Sequence, residues 1–195
     1  MPRENLLEKY NRLSFEAGIT PRTEESIVWF QDKVKKITRL NRDKLFRSKK
    51  ATGNYLIGNM VMYFYDPKYE KELPYYDSFP LVIIIDEKKG GFLGLNLHYL
   101  PIDLRAKFLS DLLKITTDKK FNEKTRFAVT YEYLKRTRTM RYYKPSIKRY
   151  LTKHVQNNMV IIKPEEWEIA TFLPTEQFQK ETKMTVHKFS REMVR

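Results

Sequence analysis

The sequence predicts an α+β fold, a small antiparallel β-rich core flanked by helices, with a basic helix leading into it. Three observations predict it. Apolar residues recur at helical steps over residues 20–40 and again over 101–115. Between them lie runs of branched and aromatic residues, bounded by Asp-Pro and Gly-Gly turn signals. No internal repeat, low-complexity segment or Ser/Gly linker interrupts the 195 residues, a length that suits one domain with helical extensions.

The first element begins at Thr20, which can cap a helix, followed by Pro21 at a position where a missing N–H costs nothing. Glu24 and Glu25 place negative charge in the first turn, where the helix dipole favours it. Ile27, Phe30, Val34, Ile37 and Leu40 then form one apolar stripe. The other faces are basic. Residues 33–50 carry nine Lys and Arg against Asp43 alone, a net +8.

The β-rich part follows. "NYLIGNMVMYFYDP" reads as a strand ending in a turn, and "KYEKELPYYD" as a polar, tyrosine-rich connection. "SFPLVIIIDEKKGG" reads as an apolar strand running into a lysine–glycine turn, with "FLGLNLHYL" as its hairpin partner. Alternation along that partner puts Leu93, Leu95, Leu97 and Tyr99 on one face and Phe92, Gly94, Asn96 and His98 on the other. Gly94 inside a strand marks a bulge or a close backbone approach. The glycines are not a nucleotide loop, because neither G-x-G-x-x-G nor G-x-x-x-x-G-K-[ST] occurs.

Later segments read mostly as helices. "PIDLRAKFLSDLLKI" carries Ile102, Leu104, Phe108, Leu112 and Ile115 on a helical period. "NEKTRFAVTYEYLKR" is expected to be helical, and "PSIKRYLTKHV" to form a short helix after Pro145. "NMVIIK" is expected as a strand, "PEEWEIATFLP" as a short helix, and "KMTVHKFSREMVR" as a surface tail or docking helix. The expected division is a basic helical segment over residues 1–50, an α+β core over 51–182 and a C-terminal tail over 183–195.

Composition narrows the function classes. The formal net charge is +14, which calls for an anionic partner: nucleic acid first, a membrane or an acidic protein surface second. The longest aliphatic run, residues 81–85, is far too short to span a bilayer, and no signal-peptide apolar core opens the chain. With no cysteine, disulfides and thiolate metal sites are excluded.

The candidate binding residues fall in two clusters. The first is Lys35, Lys36, Arg39, Arg42 and Arg47 on the N-terminal helix. The second spans residues 135–149, with Arg136, Arg138, Arg141, Lys144, Lys148 and Arg149, no acid, and Tyr142 interleaved. Cations neutralise phosphates and release counterions, arginine adds bidentate contact, and tyrosine can stack on bases or sugars. Helix-turn-helix, zinc-finger and RNP1 patterns are absent, so binding is expected to follow shape and charge, not base sequence.

Catalytic constellations are weaker. His98 could act as a base, with Asp86 across the hairpin or Asp103 as its partner, but a lone histidine is more often structural. His154, expected in a helix, and His187 in the tail are too scattered to make a metal site with it. Asp77 followed by Glu87-Lys88-Lys89 nominally fits the acid…ExK spacing of metal-dependent nucleases, yet those charges run into a turn. No catalytic residue, metal or cofactor is assigned.

Two resemblances add to this reading. "GNMVMYFYDP" followed by "LPYYDSFPLVIII" resembles the MazF/PemK toxin barrel over residues 58–85. That resemblance implies a small antiparallel SH3-like barrel as the β core. The family's Arg-Pro, whose arginine serves RNA cleavage, is Phe79-Pro80 here, so the ribonuclease activity is not carried over. The second covers most of the chain. "WFQDKVKKITRLNRDKLFR", "MYFYDPKYEKELPYYDSFPLV", "GFLGLNLHYLPIDLRAKFL" and "RYLTKHV" together resemble a small virion or genome-end-associated protein family of large contractile-tailed phages. It implies a non-enzymatic virion protein, present in the host cytoplasm during assembly, of the DNA end protector, head–tail or baseplate class. Its expected partner is duplex DNA bound non-specifically, or acidic protein neighbours in the virion, with oligomeric assembly open and no membrane. The remaining alternative is a MazF-like or metal-dependent nuclease.

Overall fold

The apolar run at residues 81–85 becomes the centre of a sheet buried on both sides. The computed structural model describes residues 51–52, 56–117, 123–156, 159–162, 167–172 and 175–194. The expected basic N-terminal helix, with Lys35, Lys36, Arg39, Arg42 and Arg47, lies outside the described residues.

Eight strands are described. They are β1 (Ala51–Thr52), β2 (Met60–Met62), β3 (Tyr76–Asp77), β4 (Leu81–Lys88), β5 (Gly91–Asn96), β6 (Ile147–Leu151), β7 (Met159–Ile162) and β8 (Phe178–Gln179). Six form an antiparallel sheet in the order β1-β7-β2-β4-β5-β6, and β3 pairs with β8 in a separate two-stranded sheet. The α+β class therefore holds. The expected closed SH3-like barrel does not: β1 and β6 are the two edges of an open sheet. Closing a barrel requires its end strands to pair with each other. Among the described residues the two-residue β1 pairs only with β7, and β6 only with β5.

Alternation along β4 explains its unbroken apolar run. Leu81, Ile83 and Ile85 enter one buried cluster with Leu95, Phe108, Leu112, Leu134 and Trp167. Val82 and Ile84 enter the other with Tyr63, Tyr65, Phe92 and Tyr150. A strand covered on both faces has no reason to alternate with polar residues. The second cluster is largely aromatic. Tyr63, Tyr65 and Phe92 each meet Tyr150, at centroid distances of 5.6, 5.0 and 5.5 Å.

The β4–β5 hairpin turns at Lys89–Gly90, with Lys88 opposite Gly91 and Gly90 at φ +76°. The pairing slips between Ile84 and Asp86, a bulge in the strand facing Gly94. Gly94 also marks a close approach. A Cβ there would overlap the Val82 side chain and crowd the Tyr150 ring. A Cβ at Gly91 would run into the Tyr150 carbonyl of the neighbouring strand.

Four helices are described. They are α1 (Ile102–Thr117), α2 (Glu123–Thr137), α3 (Trp167–Phe172) and α4 (Lys183–Glu192). Helix α1 packs against α2 and α3, and α2 reaches β4. Arg105, Phe108, Leu109 and Leu112 form the buried face of α1, at helical three- and four-residue steps. Helix α4 begins at a Thr182 cap, whose side chain accepts from the Thr185 N–H, and buries Val186. No helix among the described residues is long and apolar enough to cross a membrane.

One expected element changes type. Instead of a short helix, "PSIKRYLTKHV" contributes the end of a 3₁₀ turn (Arg141–Ser146), then β6, then a second 3₁₀ turn (Thr152–His154). Pairing overrides local preference here. Gly91 and Gly94 leave β5 bare enough for β6 to lie close against it, and Tyr150 sits opposite Phe92.

The glycine contacts give a stability order. Gly94→Ala should cost about 1–3 kcal/mol, the usual range for overpacking. Gly91→Ala should cost more, because a backbone carbonyl cannot rotate aside. Urea unfolding of both variants checks this; equal, negligible losses would contradict the close β5–β6 approach.

Candidate nucleic-acid interface

The second basic cluster is displayed by a change of backbone. Helix α2 ends where the Thr137 hydroxyl donates to the Leu134 carbonyl at 2.6 Å. The chain then enters the 3₁₀ turn at residues 141–146. Tyr143, Pro145 and Ser146 anchor that turn inward, and the Ser146 hydroxyl donates to the Tyr143 carbonyl at 2.6 Å. With those residues buried, Arg136, Arg141, Tyr142 and Lys144 point to solvent. Tyr142 is 64% exposed.

The cluster does not act as one patch. Arg138 is engaged at the hairpin, where its guanidinium meets Asp86 at 3.0 Å, and Lys88 reaches the same carboxylate at 2.8 Å. The hydrogen bond from Lys88 and the positive charges of Lys88 and Arg138 hold Asp86 below its ordinary range, although desolvation opposes this. Asp86 is therefore not the partner of His98. Arg149 turns the same way and donates to the Lys89 carbonyl at 3.1 Å. Lys148, its neighbour on β6, points to the opposite face, as strand alternation requires. Its ammonium lies 4.3 Å from the centre of the Tyr99 ring, and burial lowers it to about 8.

Lys148 faces a cleft of about 560 Å³. Its walls are tyrosines from three stretches: Tyr65, Tyr69, Tyr75, Tyr76, Tyr99 and Tyr150. Lys68 stands at the rim, its ammonium 4.6 Å from the Tyr69 ring centre. The outer wall is a turn over residues 68–72. Lys180 holds it by donating to the carbonyls of Glu70, Lys71 and Leu73, the last at 2.9 Å. Sequence reasoning misses this site. Its signal is present in "YDPKYEKELPYYD", whose tyrosines read only as a polar connection.

Asp77, which also lines the cleft, centres a buried polar network. One carboxylate oxygen accepts from the N–H groups of Phe79 and Gln177, at 3.1 and 3.3 Å. The other accepts from the Asn96 amide at 3.1 Å and the His98 ring at 2.6 Å. Burial alone would raise Asp77; the hydrogen bonds from the His98 ring, the Asn96 amide and the Phe79 N–H outweigh it and hold the carboxyl below its ordinary range. Burial also lowers His98, more than Asp77 raises it. A neutral His98 fits both contacts, with Nδ1–H donating to Asp77 and Nε2 accepting from the Thr175 hydroxyl at 3.1 Å.

The His98 carbonyl is held in turn. It accepts from Arg105 at 3.0 Å and from His187 of α4 at 2.9 Å. Arg105 is itself buried and donates to the Leu100 carbonyl at 2.7 Å; desolvation lowers it to about 10.

This arrangement corrects the catalytic alternatives. His98 is fully enclosed and its ring nitrogens are both engaged, so it is a structural residue with no open side for a substrate. Asp77 does not form an acid…ExK site with Glu87 and Lys89. Asn96, its partner, sits opposite Val82, whereas Glu87 lies five residues further along β4, roughly 17 Å away at the usual rise. Among the described residues no group of three acids or histidines could hold a metal.

The histidines make stability pH-dependent, with a defined sign. Burial lowers His187 to about 4, and His98 also lies below its ordinary 6.5. The unfolded chain therefore binds protons that the folded chain refuses, and stability falls as pH drops below 6.5. Protonation of Asp77 removes a further contribution at still lower pH. Urea unfolding between neutrality and pH 5 should show a loss of about 1–2 kcal/mol per pH unit. A pH-independent midpoint would contradict neutral burial of both rings.

Comparison with known proteins gives one finding. The family model described as Phage T4 terminal DNA protecting protein matches residues 8–194. No curated protein and no solved structure matches the chain.

Proposed function

The chain belongs to the phage T4 terminal DNA protecting protein family, and from that premise we propose that it binds and shields the ends of a linear phage genome. The match over residues 8–194 carries this reading. The exposed cations of the 3₁₀ turn give it a physical basis.

The binding is non-specific. Arg136, Arg141 and Lys144 meet phosphates, Tyr142 packs on a sugar or base, and the basic residues of segment 33–50 add to the field. Arg138 and Arg149 contribute less, since both are already engaged at the β4–β5 turn. The protein acts by occupancy: a covered end offers an exonuclease no strand to enter. Its place is the virion, and the host cell before assembly is complete.

The test is equilibrium binding to a linear duplex and to a closed circle of the same length, across a salt series. The linear form should bind more tightly, with a steep salt slope. Replacing Arg136, Arg141 and Lys144 by glutamine should flatten the slope by about 0.9 for each phosphate left without its cation. Equal binding of circle and linear duplex would overturn an end-specific role. An unchanged slope would remove these three residues from the interface.

A further inference from the structure

Two features meet in the tyrosine cleft that are rarely needed together. Aromatic walls suit a flat π-face, and Lys148 and Lys68 suit an anion. An apolar ligand would leave the Lys148 ammonium half-buried without a counter-charge, since no ion pair to it occurs among the described residues. A bare phosphate would leave the tyrosine rings unused. A nucleotide uses both. The volume of about 560 Å³ lies within the usual range of small-ligand sites. Two nearby carboxylates are already hydrogen-bonded within the protein. Asp77 is satisfied by four donors, and Glu70 accepts from the Tyr76 hydroxyl at 2.9 Å.

The geometry also selects the state of the nucleotide. Inside a duplex each base has both faces covered by its neighbours, and at a blunt end the last base is still held by its paired edge. Only an unpaired terminal base can enter a concave site and lay its face on a ring. Tyr69 is placed for this. It is 52% exposed, on a wall that Lys180 clamps from behind.

We propose that the cleft between Tyr69, Tyr99 and Lys148 captures an unpaired terminal nucleotide of the bound DNA, the base stacked on tyrosine and its phosphate on Lys148 and Lys68. This deepens the end-binding reading and rests on it. The exposed cations of the 3₁₀ turn would hold the duplex, and the cleft would recognise that the duplex stops.

The test compares a blunt duplex with one carrying a short single-stranded overhang, both titrated with the full chain at fixed salt. The overhang should bind roughly tenfold more tightly, as one good base–aromatic stack implies. A fluorescent adenine analogue at the overhang tip should be quenched on binding to the unaltered protein, a readout that needs no variant. Tyr69→Ala and Lys148→Gln should each erase the preference while leaving blunt-end binding in place. Met184→Ala, at a position 77% exposed on α4 and outside the cleft, should change nothing. Equal, tight binding of both duplexes with an unquenched tip would overturn the cleft and leave end binding standing. Failure to bind either duplex would overturn both.

Discussion

A carboxylate taken out of water must find its partners inside the protein, and Asp77 finds four. The contact with His98 is the shortest of them, and the surrounding chain is arranged around it. It ties the small β3–β8 sheet to the end of β5 and to the following 3₁₀ turn (Leu97–Tyr99). The same turn is held from the other side by Arg105 and His187, which share the His98 carbonyl. Helices α1 and α4 are thus fastened to one short stretch of backbone. Removing one member of such a group leaves an uncompensated buried charge, the costliest kind of loss in this class.

That constraint reaches the surface through Tyr99 and Asn96. Tyr99 follows His98 directly and forms a wall of the cleft, while the Asn96 amide bridges Asp77 to the Tyr150 hydroxyl at 3.0 Å. The cleft is therefore preorganised by the buried network and does not depend on a mobile loop closing over it. Lys148 completes it from β6, held over the Tyr99 ring. Charge on this protein is thus of two kinds. Arg136, Arg141 and Lys144 stand in solvent, suited to screened, non-specific phosphate contact. Lys148 is partly desolvated, where one anion is felt more strongly.

Much of the framework is legible in the sequence, and the parts that are not share a cause. Helix α1 shows itself by period, and the β4–β5 hairpin by an apolar run ending in Lys and Gly. Gly94 announces a close approach that the structure contains. These signals are local. β6 reads as helix because nothing within "PSIKRYLTKHV" records that two glycines some fifty residues earlier leave room for it. Asp77 reads as a nuclease carboxylate because its partner Gln177 lies 100 residues away. Arg105 looks like a surface cation on an amphipathic helix, yet it is buried with its guanidinium spent on carbonyls. The SH3-like barrel follows from a short resemblance that carries strands but not their closure. The phage genome-end family, by contrast, is legible because its motifs run the length of the chain.

DNA is expected to cover two described stretches: the cleft wall at residues 65–76, and the basic turn and strand at residues 136–151. Hydrogen exchange on the full chain, with and without a linear duplex, tests that placement most directly. Protection on adding DNA should appear in the peptides covering those two stretches, and α1 should exchange as before. Protection confined to other peptides, with both stretches unchanged, would contradict the placement.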